Sequence, residues 1–251
     1  MINHNAPILI GGVGGSGTRV ITQILQKENI FMGSELNDSL DNMNFAPQFP
    51  IMRQLIQQGQ AINQAERESI ISQLIHTTST TLLAQIDTQN YSAWGWKIPA
   101  NFIILAYVAK IYPQMKYIHV IRHGLDMAFS DNKNQLNNWG HYFSVDMQQS
   151  TAKAALEYWI KANQFALDTG EKLLGENFLL LNFDDLCRDP KPILQTLIQF
   201  LQIDCNINEN LYDFIAIPLS TNRYLKEDIS IFDNTAINAV RSFGFDIKTS
   251  F

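Results

Sequence analysis

The sequence predicts an α/β fold in which helices cover both faces of a central, mainly parallel sheet. Three observations carry that expectation. Short apolar stretches recur along the chain, and the fullest, Lys116–Ile121, is almost uninterrupted, as in a strand buried on both faces. Stretches with helical apolar spacing separate them, the alternation of a three-layer architecture. A glycine cluster, Gly11-Gly12-Val13-Gly14-Gly15-Ser16-Gly17-Thr18, joins the first apolar stretch to the first helical one.

Taken in order, Pro7–Ile10 is apolar and closed by that cluster, so it reads as a strand, and Val20, Ile21, Ile24 and Leu25 then recur at helical spacing. A second strand is expected at Ile30–Met32, followed by a polar, turn-rich stretch through Asn44. Helices are expected near Phe49–Gln58 and Ala65–Ile86, the second with Ile70, Ile71, Leu74 and Ile75 on one face. Together they read as a helical insertion, residues 37–89, with the look of a lid or acceptor-binding element. Ala93–Lys97 is the next strand, Pro99 opens a helical stretch to about Tyr112, and Lys116–Ile121 follows as a strand. After Arg122 a helix is expected through about Asn132, then the loop NKNQLNNWGHYFS, then a long helix near Thr151–Leu174. The strand Phe178–Asn182 and the helix Pro190–Leu201 complete the alternation. No repeat, linker or low-complexity tract divides the chain, so residues 1–251 read as one domain.

Length and composition support that reading, because 251 residues with 46% hydrophobic content supply a substantial core. No run of about eighteen apolar residues occurs, and MINHNAPILIGG lacks the basic start and long apolar middle of a signal peptide. A soluble, cytoplasmic protein is expected. The net charge of −6 opposes nucleic-acid binding as a general function, although one basic cleft can still hold an anionic ligand. Cys187 and Cys205 have neither CxxC spacing nor a nearby His partner, so both read as ordinary thiols rather than as a zinc site or disulfide framework.

The glycine cluster sits where free backbone N–H groups and the positive end of a helix dipole can hold an anion. Gly12, Gly14 and Gly17 also satisfy GxGxxG, and Glu35 lies near the place of a ribose-binding carboxylate, so a dinucleotide fold stays open on this motif alone. A Walker A loop needs Lys and then Ser or Thr after its last glycine, whereas Thr18 and Arg19 follow Gly17. A second phosphate-binding candidate lies far along the chain. YIHVIRHGLDMAFS places Arg122 at the carboxyl end of a buried strand and Ser130 eight residues on, in the following helix. A ligand with phosphates at both ends suits this layout. His119 and His123 are read as core packing and a supporting turn rather than as catalytic groups.

These residues resemble the sulfotransferases that use 3′-phosphoadenosine 5′-phosphosulfate (PAPS). GGVGGSGTR looks like their 5′-phosphosulfate loop, IHVIRHGLDMAFS like their 3′-phosphate strand, loop and helix, and LLLNFDDLCRDP like a downstream strand and helix. WKIP resembles the short Lys-containing segment of the tyrosyl-protein and glycan-directed branches, and STNRYLK with AVRSFGFD their closing loop and final helix. The resemblance implies a three-layer α/β/α, P-loop-like fold and PAPS as co-substrate, with no metal. It implies that Gly14, Gly15, Ser16, Gly17, Thr18 and Arg19 surround the 5′-phosphosulfate, and that Arg122 and Ser130 hold the 3′-phosphate. Ser220, Thr221, Arg223 and Tyr224 of the closing loop complete the cofactor set.

The family pattern has a basic residue where this chain has Gly15, so Lys97 is the expected electrophilic partner and Arg19 the alternative. In-line attack of an acceptor hydroxyl on sulfur needs such a cation, oriented N–H donors and a base. Glu35 resembles the family's acid/base, with Asp38 and Asp41 in reserve. Trp94, Trp96, Trp139 and Trp159 are read chiefly as core, and Asp184 and Asp185 as orienting Arg188 or capping a turn. Two other functions compete: a phosphotransferase with a degenerate phosphate loop, and a module that binds 3′-phosphoadenosine nucleotides without transfer. The acceptor is the expected partner, and its identity is not encoded in any readable motif.

Overall fold

A computed structural model describes residues 3–57, 62–87, 90–203 and 209–248. Cys205 and parts of the expected insertion, residues 58–61 and 88–89, lie outside the described residues. Five strands, β1 (Ile8–Gly12), β2 (Ile30–Phe31), β3 (Ala93–Lys97), β4 (Lys116–Ile121) and β5 (Phe178–Asn182), form a parallel sheet in the order β2-β3-β1-β4-β5. The helices are α1 (Thr18–Lys27), α2 (Phe49–Gln57), α3 (Gln64–Leu83), α4 (Asn101–Ile111), α5 (Gly124–Ala128) and α6 (Asn134–Trp139). They continue with α7 (Thr151–Leu174), α8 (Phe183–Arg188), α9 (Pro190–Leu201), α10 (Glu209–Tyr212) and α11 (Asn234–Ser242).

The sheet is buried on both faces because its strands carry apolar residues on both. Leu9, Trp94, Trp96, Tyr117 and Ile121 pack with α4 and α7 in one core. Ile8, Ile10, Ile118, Val120 and Leu181 pack with Ile21, Ile24 and Leu25 of α1 and Leu194 and Leu197 of α9 in the other. Trp94, Trp96 and Trp159 are wholly buried, as a core role requires. β3 and β4 flank β1 on opposite sides, so their connections diverge and leave a crevice at the carboxyl ends of the strands.

Two local expectations are corrected. The helix after Arg122 ends at Ala128 instead of continuing to Asn132, which leaves Ser130 beyond it. The reason is chemical: the Ser130 hydroxyl accepts from Asn132 N at 3.3 Å, Lys133 Nζ caps Ala128 O at 2.7 Å, and these bonds compete with helix propagation. The stretch read as a loop contains α6, which buries Leu136 and Trp139 at helical spacing. α8 is the helix that the resemblance implied within LLLNFDDLCRDP; the Asn182 side chain starts it by accepting from Asp184 N and Asp185 N at 3.0 and 3.3 Å. Among the described residues no helix is long and apolar enough to cross a membrane.

Candidate active site

The loop between β1 and α1 leads into a helix start without a side-chain cap. Gly17 precedes α1 with φ +97°, and a Cβ there would lie 2.3 Å from the Phe183 ring, so backbone and neighbour both demand glycine. α1 has no side-chain cap at its start and no acidic residue in its first turn, so its first N–H groups stay open to an anion. Ser16 is wholly buried; its N–H donates to Val13 O at 3.0 Å and its hydroxyl donates to the same oxygen. Gln135 Nε2 on α6 donates to Gly12 O at 3.2 Å, which seats α6 against the loop.

Lys97 ends β3 with 1% of its surface exposed. Its ammonium donates to Asp41 Oδ1 at 2.5 Å and to Ser39 O at 2.6 Å. Burial lowers the Lys97 pKa, the Asp41 carboxylate opposes that drop, and the nearby Arg19 charge adds to it. The Asp41 placement follows from the turn at Asn37, whose Oδ1 accepts from Ser39 N and Asp41 N, both at 2.9 Å.

Arg122 leaves the end of β4 and is buried. Its Nη2 donates to Ser220 Oγ at 2.8 Å and its Nη1 approaches Gly15 O at 3.4 Å, while its buried Nε has no partner among the described residues. Burial lowers its pKa, against the charges of Asp184 and Asp126. The segment bearing Ser220 is held down by Asp126, which accepts from Asn222 N at 2.8 Å and Tyr224 N at 3.2 Å. His123 stacks on Tyr224 with centroids 4.6 Å apart, and Arg223 donates to Ser220 O and Phe129 O, each at 3.3 Å. The Thr221 hydroxyl is buried with no partner among the described residues.

One cavity of about 920 Å³ at the strand ends joins the loop from Gly14 to Arg19 with Lys97 and Arg122. Its charged wall holds four cations, Arg19, Arg53, Lys97 and Arg122, against two carboxylates, Asp38 and Asp41. A chain of net charge −6 thus carries a basic pocket. Glu35 is exposed and stands outside that wall; its backbone O accepts from Met43 N at 2.9 Å. Ser130, half-buried, is likewise outside the wall, beside Phe129.

Sequence reasoning missed Arg53, Gln135 and Phe183. The available signals were a lone cation in the otherwise uncharged helix FPIMRQLIQ and an aromatic residue at the carboxyl end of a strand. His119 and His123 have supporting roles as expected. His119 is buried between the Tyr117 hydroxyl at 3.0 Å and Asn163 Oδ1 at 2.9 Å, and the His123 ring accepts from Leu125 N at 3.2 Å. Asp185 pairs with Arg188, whereas Asp184 accepts from His123 N at 2.8 Å.

Comparison with known proteins agrees with this geometry. The sulfotransferase domain of the Synechococcus PCC 7002 olefin synthase is 16% identical with a TM-score of 0.56, over 97% of this chain and 95% of that one. A sulfotransferase from Alicyclobacillus acidocaldarius is 12% identical with a TM-score of 0.53, over 95% of each chain. The sulfotransferase domain from the curacin biosynthetic pathway is 16% identical with a TM-score of 0.54, over 85% of this chain and 78% of that one. At such identities these likenesses show the P-loop-like fold alone. No curated protein matches the chain significantly. The model of the sulfotransferase family matches residues 7–206, which spans β1 through α9 and includes the glycine loop after β1, Lys97 and Arg122. A match over most of the chain, on the elements that build the cavity, places this protein in the sulfotransferase family, the enzymes of sulfuryl transfer.

Proposed function

We propose that the protein moves the sulfuryl group of PAPS to a hydroxyl or amine of an acceptor bound in the same cavity, leaving 3′-phosphoadenosine 5′-phosphate. The observation that carries this reading is the separation of two anion sites in one pocket: the uncapped start of α1, and Arg122 with its unpartnered Nε. The N–H groups of Gly15, Gly17 and Thr18 hold the 5′-phosphosulfate, with Gly14 and Ser16, whose N–H is taken by Val13 O, shaping the loop. Arg122 takes the 3′-phosphate, oriented by Ser220. Thr221 and Arg223 follow Ser220 on the same segment, Arg223 donates to Phe129 O next to Ser130, and Tyr224 anchors the segment on His123.

Lys97 stabilises charge on the bridging oxygen as the S–O bond breaks, with Arg19 at the mouth of the loop. The acceptor proton goes to a carboxylate of the 35–41 segment. Asp38 lines the cavity, Glu35 stands outside its wall and Asp41 is engaged with Lys97, so the base role falls to Asp38 in this reading. A cytoplasmic location belongs to the same reading.

The test is calorimetry of 3′-phosphoadenosine 5′-phosphate against AMP. The bisphosphate should bind more tightly, and Arg122→Ala should lose about 1.5–3 kcal/mol of that affinity, the scale of a charge-assisted contact. Equal affinity for the two nucleotides overturns the assignment.

A further inference from the structure

We propose that the acceptor carries a carboxylate and that Arg53 recognises it, an inference that rests on the sulfotransferase reading. Arg53 lines the cavity from α2, beside Phe49 and Pro50. Its Nη1 donates to Asn138 Oδ1 on α6, so the guanidinium is held by a neutral amide. Among the described residues no carboxylate forms an ion pair with it. Asp41, a carboxylate of the same cavity, is already bonded to Lys97 and to Asn37 Nδ2. Arg53 therefore brings an unneutralised charge to the pocket.

A purely structural role does not need that charge. Gln57 Nε2 already ties α2 to α6 by donating to Asn138 O at 2.8 Å. The nucleotide does not need it either, because the phosphate loop, Lys97, Arg19 and Arg122 serve its anionic ends. Position separates Arg53 from that set. Gln135 on α6 touches the phosphate loop, whereas Asn138 lies three residues on, roughly 4.5 Å further along the helix axis, at α2. With Nη1 on Asn138, the Nε and Nη2 edge is left for a two-point contact with a planar carboxylate. This places the acceptor's anionic group at α2 and leaves its hydroxyl for the segment of Asp38.

The experiment titrates protein saturated with 3′-phosphoadenosine 5′-phosphate with two matched pairs, 4-hydroxyphenylacetate and its primary amide, and 6-hydroxyhexanoate and its primary amide. At least one acid should bind about tenfold or more tightly than its amide, the scale of one charge-assisted contact. Arg53→Gln, which keeps a donor for Asn138, should erase that preference while leaving the nucleotide's dissociation constant unchanged. The inference is overturned if neither acid binds better than its amide, or if the preference survives in Arg53→Gln. A loss of nucleotide affinity in Arg53→Gln also overturns it, by moving Arg53 to the nucleotide side. Failure of the wild-type protein to bind the nucleotide at all counts instead against the function proposed above.

Discussion

Lys97 is a cation taken almost wholly out of water and kept by one carboxylate. Removing it should slow single-turnover transfer on the order of 10²–10³-fold, as for other electrostatic stabilisers, with far less effect on nucleotide binding. Wild-type single-turnover rates in Lys97→Met would take Lys97 out of the reaction. Asp41 acts through Lys97 by opposing the effect of burial, so Asp41→Asn should move the alkaline loss of activity to lower pH. An alkaline limb that stays in place contradicts that positioning role. His119 makes a separate prediction about stability. Burial depresses its pKa from the ordinary 6.5 to about 4, so the unfolded chain takes up the proton first. Its contribution is full above pH 6.5 and is lost as pH falls from there towards about 4, by about 3 kcal/mol in all. Urea midpoints measured at several pH values across that window should fall steeply in the wild type and less steeply in His119→Gln; equal slopes refute the assignment.

At the scale of an element, the turn from β1 into α1 is held by one backbone conformation and one neighbour. Gly17→Ala imposes a Cβ both at φ +97° and 2.3 Å from the Phe183 ring. It should weaken binding of 3′-phosphoadenosine 5′-phosphate by about tenfold or more, from ~1–3 kcal/mol of backbone strain with the steric clash added. Gly17→Ala with Phe183→Ala relieves the ring contact but not the strain, so affinity should return only in part. Full recovery would show that the clash alone matters. α5 shows how an element escapes local reading. No glycine or proline follows Ala128 in HGLDMAFSDN, yet the helix ends there because Lys133 takes Ala128 O and the Ser130 hydroxyl takes the Asn132 N–H that would have extended the helix. α6 was hidden for the opposite reason: four amide side chains mask the apolar pair Leu136 and Trp139.

Over the whole molecule, a chain of net charge −6 encloses a pocket with four cations and two carboxylates. Attraction of a multiply charged nucleotide into that pocket should weaken as added salt shortens the screening length, about 8 Å at physiological ionic strength. The association rate of 3′-phosphoadenosine 5′-phosphate should fall with sodium chloride, and fall less steeply in Arg122→Ala. A rate independent of salt would show that the pocket's charge is balanced elsewhere. The layering and the glycine loop between β1 and α1 were legible in the sequence alone. Ala93–Lys97, Lys116–Ile121, Thr151–Leu174 and Phe178–Asn182 form with the expected bounds, because apolar runs and helical periodicity are local signals that burial on both faces reinforces. The ends of β3 and β4 then bring Lys97 and Arg122 to one crevice with the loop that follows β1. What only the tertiary structure decided was which loop residues reach that crevice. Glu35, Asp38 and Asp41 are equivalent as carboxylates in a polar stretch. The Asn37 turn brings Asp41 onto Lys97, Asp38 lines the cavity, and Glu35 stays outside its wall. Arg53 gains its place in the same way, since it joins the pocket only when α2 packs against α6. A side chain's chemistry is local, but its neighbours come from residues distant in the chain.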